Sequence, residues 1–234
     1  MHYEVEVKSL LGNEENASLL RSKMRALDPA FKLTASNKQL NHYFTGGDIS
    51  KLAEVMKTYL APDALDKLHT IAKKGKDFSV RTRDKDGKVY LVVKASVGED
   101  TSPAGGGTSA NGITRMEFEE RFSPPAGGSL DDLDQLLRDT GFEYQAKWSR
   151  EREEYVCKNV AVCLDKNAGY GWLAEFEKVV NAEHQLEDAR REVKALMEEC
   201  GVQELPQDRL ERMFAFYNAH WGEYYGTDKI FTIA

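Results

Sequence analysis

Apolar and charged residues alternate along several short stretches of the chain, with the period of two that marks a strand covered on one face. Residues 3–8 show the pattern most clearly, because Val5 and Val7 fall on one face and the charged residues on the other. Similar runs predict strands at 40–44, 78–83, 88–94, 114–122, 143–155, 161–165 and 172–180. The pattern therefore predicts about eight strands, and Asp86-Gly87 predicts a hairpin between the third and fourth.

Apolar residues at three- and four-residue spacing predict helices between and after these strands. The predicted helices cover 14–27, 48–74 with a break at Pro62, a stretch from Ser129 to Gly141, a stretch from Asn181 to Gly201, and a final stretch from Pro206. The final helix carries a stripe of large side chains, namely Met213, Phe214, Tyr217, Trp221 and Tyr224. We expect this stripe to face the core or a second copy of the chain, so a homodimer is one alternative.

Composition narrows the class of protein. The 234 residues are 41% hydrophobic, which is enough to fill a core, and the net charge of −7 argues against a general nucleic-acid binder. No stretch approaches the roughly 20 apolar residues of a membrane helix, and the first residues lack a signal pattern, so we expect a soluble cytoplasmic protein without a membrane partner. Residues 98–112, rich in glycine and poor in apolar side chains, are predicted to form a mobile loop.

Three cysteines, Cys157, Cys163 and Cys200, form neither a disulfide framework nor a metal-binding motif. We expect buried thiols at these positions.

His42, beside Tyr43, has two interpretations. It is either a general acid or base at the mouth of a site or a hydrogen-bonded structural histidine, and the second is favoured.

Charged residues recur at i and i+2 in nearly every predicted strand, which places them on one face of the sheet. The acidic members are Glu4, Glu6, Glu117, Glu119, Asp165, Glu175 and Glu177. The basic members are Lys8, Arg81, Arg83, Lys94, Arg115, Arg150 and Arg152. For any one strand a solvated outer face is the simpler explanation, but across the set the pattern favours a barrel with a charged interior.

A charged interior is tolerable only if it is wet, internally paired, or filled by a ligand that completes its charge balance. Closely spaced carboxylates suit hard cations such as Mg²⁺ or Mn²⁺, and several arginines and lysines suit phosphate oxygens. The residues therefore point to metal-assisted phosphoryl transfer.

The order of these charged strands resembles the CYTH family, or triphosphate tunnel metalloenzymes, which includes class IV adenylate cyclases, thiamine triphosphatases and inorganic triphosphatases. Residues 4–8 resemble the family's ExExK strand, and Arg81-Thr82-Arg83 resembles its RxR strand. The remaining motifs follow in order as Lys94, residues 115–119 for RxExE, Arg150-Glu151-Arg152 for KxR, Asp165, and Glu175-Phe176-Glu177 for the closing ExE. The lysine of KxR is Arg150 here, and Lys147 is an alternative for that role.

The resemblance, which spans about residues 2–180, implies an α+β fold with an eight-stranded antiparallel closed β-barrel and helices packed outside. Residues 1–180 would form the tunnel, and the helices of 181–234 would pack on it within the same domain. The seven carboxylates would hold one or two Mg²⁺ or Mn²⁺ ions, and the seven basic residues would bind the phosphates. Glu4, Lys8 and Arg83 are the candidate catalytic residues.

Three functions follow from such a site. The first is hydrolysis of a triphosphate, either inorganic tripolyphosphate or an organic one such as thiamine triphosphate or a nucleotide. The second is an adenylate cyclase that converts ATP to cyclic AMP and pyrophosphate. The third, a module that binds polyphosphate or a nucleotide without turnover, is disfavoured, because anion binding alone does not need the paired carboxylates. In each case the partner is a triphosphate-containing small molecule, not a nucleic-acid polymer.

Overall fold

A computed structural model describes residues 3–96, 115–124 and 127–233 of the chain. The strands are β1 (Tyr3–Gly12), β2 (Lys32–Gly46), β3 (Lys76–Lys85), β4 (Lys88–Ser96), β5 (Arg115–Arg121), β6 (Phe142–Cys157), β7 (Val160–Asn167) and β8 (Gly171–Val180). The helices are α1 (Glu14–Leu27), α2 (Ile49–Met56), α3 (Pro62–Lys74), α4 (Leu130–Asp139), α5 (Leu186–Cys200) and α6 (Gln207–Tyr224), with a short 3₁₀ turn at Glu183–Gln185. The loop predicted at 98–112 lies outside the described residues.

The eight strands form one antiparallel sheet in the order β1-β8-β7-β6-β2-β3-β4-β5. The predicted β3–β4 hairpin is confirmed, with Lys85 opposite Lys88 across the turn. The α+β class and the eight antiparallel strands are confirmed as well. Within the described residues β1 and β5 stand at the two ends of the strand order, so closure into a barrel stays a prediction.

The chain divides into two compact units, each with its own core. The first unit comprises residues 3–38 and 149–233 of the described chain, and the second comprises 39–96, 115–124 and 127–148. Strands β2 and β6 contribute residues to both units. The predicted grouping of 1–180 with helices 181–234 in a single domain stays a prediction.

In the first unit, α1 and α5 cover the apolar face of β1, β7 and β8. Helix α1 begins at Asn13, whose side chain accepts a hydrogen bond from the backbone N–H of Asn16, and it buries Ala17, Leu20 and Met24. Helix α5 ends at Gly201, whose φ of +63° is a left-handed conformation that glycine adopts without strain. Because both helices pack on the apolar face, the charged side chains of the three strands lie on the opposite face.

Helix α6 and the segment after it pack against the β7–β8 turn of the first unit. The predicted core-facing stripe is confirmed at Met213 and Tyr217, which are buried. The following segment returns to the β7–β8 turn, where Gly169 N–H donates to the Lys229 carbonyl and Phe231 N–H donates to the Gly169 carbonyl, both at 2.8 Å. The homodimer stays a prediction.

In the second unit, α2, α3 and α4 pack around a core formed by β3, β4 and β5. Helix α4 begins with a capping box, in which Ser129 and Asp132 exchange side-chain and backbone hydrogen bonds. Its buried face carries Leu133, Leu137 and one charged residue, Asp134. Among the described residues, none of the helices has the length and apolarity needed to cross a membrane.

Candidate functional site

The strict alternation of β1, β7 and β8 separates their apolar side chains from their charged ones. Val5 and Val7 are buried beneath the helices, while Glu6 and Lys8 are half-buried on the other face. The antiparallel register sets Lys8 opposite Glu175 and Arg152 opposite Asp165. The predicted residues of these strands are therefore neighbours because of strand pairing, although they are distant in sequence.

These side chains form a chain of alternating positive and negative groups, the Glu175 cluster, made of Glu6, Lys8, Arg150, Arg152, Asp165 and Glu175. Lys8 bridges Glu6 and Glu175, with 3.2 Å between Lys8 Nζ and Glu175 Oε1. Arg152 bridges Glu175 and Asp165, donating from Nη2 to Glu175 Oε2 at 2.5 Å and from Nε to Asp165 Oδ1 at 2.7 Å. Arg150 Nη1 adds a second cation at Asp165, at 3.0 Å.

Neighbouring charges keep Glu175 ionised. Burial alone would raise the pKa of Glu175, but the charges of Lys8 and Arg152 outweigh it and hold the pKa well below its ordinary range. Asp165 is fully buried, and two guanidinium groups neutralise it. A carboxylate in such a place is costly unless it is paired, so these arginines are committed partners of Asp165 in this arrangement.

The second unit holds a separate group, the Arg83 cluster, made of Asn41, Tyr43, Arg81, Arg83, Lys94, Glu117 and Glu119. Arg83 is only 7% exposed. Its Nε–H donates to Asn41 Oδ1 at 2.8 Å, and its Nη1 donates to both carboxylate oxygens of Glu119 at 2.9 and 3.0 Å. Lys94 Nζ lies 3.2 Å from Glu117 Oε1.

Arg81 lies two residues before Arg83 on the same face of β3 and is held differently. Its Nη1 donates to the Tyr43 hydroxyl at 2.7 Å, and its guanidinium carbon lies 5.4 Å from the centre of the Tyr43 ring. The Nε–H of Arg81 is buried, and it has no hydrogen-bond partner among the described residues. A buried donor without an acceptor is costly, so this nitrogen fits an anionic ligand that would supply one.

Sequence reasoning missed Asn41 and Tyr43 as partners of the arginines. Neither is charged, so a search for charged residues at i and i+2 passed over them. The signal that could have found them is register, because Asn41 lies opposite Arg83 and Tyr43 lies opposite Arg81. The Trp148 ring, 6.3 Å from the Tyr43 ring between centroids, extends this aromatic edge.

The structure gives the surroundings of several residues for which the sequence left alternatives, while the choice between Arg150 and Lys147 for phosphate binding stays a prediction. His42 is 3% exposed and bonds Asp134 in the apolar core, so it is the structural histidine and not a group at the mouth of a site. Lys147 lies over the Tyr144 ring at 4.2 Å, whereas Arg150 is the residue that meets Asp165. Cys157 and Cys200 are buried as expected, whereas Cys163 is only half-buried. Partial burial nonetheless raises the pKa of the Cys163 thiol to about 12, which keeps it protonated.

Other predicted residues are placed by their backbone. Arg115 lies opposite Ser96 at the start of β5, and Glu4 lies opposite Val179 at the start of β1. Both lie at strand positions in phase with the charged faces.

A family model decides the classification, since the CYTH domain matches residues 67–209, more than half of the chain. The chain belongs to the CYTH domain family. The match includes the predicted motifs of β3 to β8, and the β1 motif lies before it. No protein of curated function matches the CYTH chain in sequence.

Solved structures resemble this CYTH chain across most of its length. A protein of Pyrococcus horikoshii OT3 is 22% identical with a TM-score of 0.56, over 88% of this chain and 94% of its own. A conserved hypothetical protein of Pyrococcus furiosus is 16% identical with a TM-score of 0.56, over 86% and 91%. A Vibrio parahaemolyticus structure described as "a putative adenylate cyclase" is 15% identical with a TM-score of 0.57, over 91% and 98%. At these identities the likeness concerns the fold.

CYTH proteins are generally dependent on a divalent metal, and the first unit carries carboxylates of the kind that such an ion prefers. Glu6 lies directly opposite Glu177 in the β1–β8 register, and like charges so placed repel each other. A hard cation with a preference for oxygen ligands would relieve that repulsion. Within the ranges that the structure describes, no three acidic, histidine or cysteine side chains already converge on one point.

Proposed function

We propose that this CYTH protein is a metal-dependent triphosphatase that releases the terminal phosphate of a triphosphate. The observation that carries the proposal is the buried Nε–H of Arg81, for which the described parts of the chain supply no acceptor, while Arg83 lies beside it on the same face. Phosphate oxygens are strong acceptors with the charge and geometry that guanidinium groups bind best. Family membership supports the same class of ligand.

In the proposed reaction, a water oxygen attacks the terminal phosphorus and the bond to the bridging oxygen breaks. Tripolyphosphate and water thus give orthophosphate and pyrophosphate. Arg81 and Arg83 would bind non-bridging oxygens and stabilise the charge that develops on them, since a fixed cation needs no reorganisation as the reaction proceeds. Asn41 and Glu119 hold the Arg83 guanidinium in one orientation, which prepares it for that role.

Lys8 and Arg152 are proposed to bind phosphate in the first unit. Each already bridges two groups, so an incoming phosphate would compete with Glu175 for them. Glu4, Glu6 and Glu177 are the proposed ligands of Mg²⁺ or Mn²⁺. When bound, such an ion supplies a Lewis acid for a phosphoryl oxygen.

A second candidate, an adenylate cyclase, is favoured by one observation, the pair formed by Tyr43 and Trp148 beside Arg81. Aromatic side chains next to phosphate-binding cations suit a nucleobase. In this reaction the 3′-oxygen of ATP attacks the α-phosphorus, the bond to the β-phosphate oxygen breaks, and pyrophosphate leaves.

Phosphorus NMR of the products distinguishes the two candidates. The purified protein would be incubated with tripolyphosphate and with ATP, each with Mg²⁺ or Mn²⁺. Orthophosphate and pyrophosphate from tripolyphosphate, with ATP left nearly intact, are the expected result. Cyclic AMP and pyrophosphate from ATP would replace the triphosphatase with the cyclase, and no product from either substrate would overturn both.

Trp148→Ala provides a control for the organic half of the substrate. If the protein uses tripolyphosphate, the variant should retain its KM for that substrate. A selective rise in the KM for ATP would instead favour the cyclase.

A further inference from the structure

A buried polar cluster lies in the core of the second unit, and neither the predicted site nor the proposed function uses it. Asp134 of α4 is 2% exposed. His42 Nδ1 lies 2.6 Å from its Oδ2, the Thr82 hydroxyl donates to Oδ1 at 2.5 Å, and the Tyr144 hydroxyl donates to Oδ2 at 2.7 Å. One carboxylate therefore joins α4 to β2, β3 and β6.

Burial of a carboxylate on the apolar face of α4 has a cost in desolvation free energy. Asp134 lies between Leu133 and Leu137, which are fully buried, so its charge is removed from water. Burial alone would raise the pKa of Asp134, but the hydrogen bonds from His42, Thr82 and Tyr144 hold it below its ordinary range. An apolar side chain of similar volume would pack the same helix without this desolvation cost, so the polar cluster needs another reason.

The register of β2 and β3 supplies that reason. His42 lies opposite Thr82, and this pair is flanked by Asn41 opposite Arg83 and by Tyr43 opposite Arg81. Successive side chains of a strand point to opposite faces. Asp134 therefore holds the middle pair from the helix side, while the two flanking pairs, which carry the arginines, face the other way.

We propose that Asp134 is a positioning residue, which fixes the β2–β3 pair through His42 and Thr82 so that Arg81 and Arg83 are oriented before a ligand arrives. The side chain of Asp134 touches neither arginine in this arrangement and acts on the backbone between them. Arginines oriented in advance lose less freedom on binding, which strengthens phosphate binding without a new contact. The inference has two halves: the orientation half states that Asp134 orients Arg81 and Arg83, and the ligand half states that this orientation strengthens phosphate binding. The ligand half rests on the proposed function, whereas the orientation half does not.

The orientation half is tested without any ligand. The Nε–H of Arg83, which donates to Asn41, gives a proton–nitrogen NMR signal whose exchange with water reports that hydrogen bond. Asp134→Asn should speed this exchange by about tenfold, the ratio expected when a hydrogen bond of about 1.4 kcal/mol is lost. Leu137→Ala on the same helix is the matched control, since it weakens α4 packing but leaves the polar cluster, and it should change the exchange less than about twofold.

The ligand half is tested by calorimetry with tripolyphosphate in the presence of EDTA. Asp134→Asn should weaken binding by about tenfold, and the same change in an Arg81→Ala/Arg83→Ala background should have no further effect. Equal losses in Asp134→Asn and Leu137→Ala, or the same loss without the arginines, would show a merely structural role. Unchanged Arg83 exchange in Asp134→Asn would also overturn the inference.

Two milder variants keep the test valid if Asp134→Asn does not fold. Tyr144→Phe and Thr82→Val each remove one hydrogen bond from Asp134 and keep the side-chain volume. Both should show intermediate exchange of the Arg83 signal, and wild-type exchange in both would overturn the inference. If the wild-type protein binds no tripolyphosphate, the proposed function fails, while faster Arg83 exchange in these variants would still support Asp134 as the positioning residue.

Discussion

The charged residues of the first unit differ in what holds them. Asp165 is fully buried and receives two arginines, while Glu175 is reached by Lys8 and Arg152 from neighbouring strands. Glu177 instead lies opposite another carboxylate, Glu6. A substitution should therefore affect stability at Glu175 and metal-dependent chemistry at Glu177.

Glu177→Gln should lower metal-dependent turnover on the order of 100-fold, because a proposed metal ligand loses its charge. Tripolyphosphate binding in EDTA should be retained, since the cations remain. Phosphate release and calorimetry measure the two effects. Glu151→Gln, the same change on the exposed face of β6, is the control and should behave as wild type; full activity in Glu177→Gln would remove Glu177 from the metal site.

Glu175→Gln should make stability less sensitive to acid. The folded pKa of Glu175 is depressed, so its contribution is present above its ordinary pKa near 4.5 and is lost as the pH falls below that value. In the variant, the slope of the free energy of unfolding against pH should decrease by up to the contribution of one proton, about 1.4 kcal/mol per pH unit. Urea unfolding between about pH 3 and 6 measures this slope, and identical slopes would contradict the assignment.

At the scale of elements, the segment after α6 depends on one glycine of the β7–β8 turn. Gly169 has a φ of +83°, and a Cβ added there would lie 2.7 Å from the Tyr217 ring and 2.9 Å from the Phe231 ring. Tyr217 is fully buried and cannot move aside easily. Both the backbone and the packing therefore require glycine at this position.

Gly169→Ala should lower the free energy of unfolding by about 3 kcal/mol, from left-handed strain and overpacking together. Gly12→Ala in the same unit is the matched control, because Gly12 has a φ of +78° but nothing within 4 Å of an added Cβ. Gly12→Ala should lower the free energy of unfolding only by the left-handed strain, about 1 kcal/mol. Equal losses in the two variants, measured by urea unfolding, would show that the aromatic packing adjusts freely.

The elements also show where sequence reasoning reaches its limit. Strict alternation was enough to place β1, β3 and β8, because each has one apolar face. The first half of β2 was missed, since 32–38 is mostly polar and exposed and carries no such contrast. Asp134 was not singled out from the sequence, because its buried role depends on His42 and Thr82 from distant strands.

At the scale of the whole molecule, the net charge disfavours binding of a polyanion, whereas the local charge on β3 favours it. The chain carries −7 overall, which repels a polyanion, yet Arg81 and Arg83 lie together on one face of β3. Charge counts from the sequence could exclude a general nucleic-acid binder, but they could not show which cations have committed partners. The proposed binding of a polyanion would therefore depend on the orientation of these side chains and not on net charge.

Tripolyphosphate should raise the free energy of unfolding of the whole chain by about 2.7 kcal/mol at 100 times its dissociation constant, because only the folded state binds it. Unfolding curves in EDTA, compared with sodium chloride at equal ionic strength, measure the shift. Arg81→Ala/Arg83→Ala is the control and should show most of the shift abolished. No shift in the wild-type protein would contradict polyphosphate binding.

The alternation of β3 side chains between the two faces of the sheet also limits which in-frame deletions the gene tolerates. Loss of one codon within 80–83 would move the residues on one side of the deletion to the opposite face, so that an arginine would enter the apolar core. Loss of two codons would shorten the strand but keep each remaining side chain on its own face. In-frame deletions in this strand should therefore be removed by selection more strongly when they span an odd number of residues than when they span an even number.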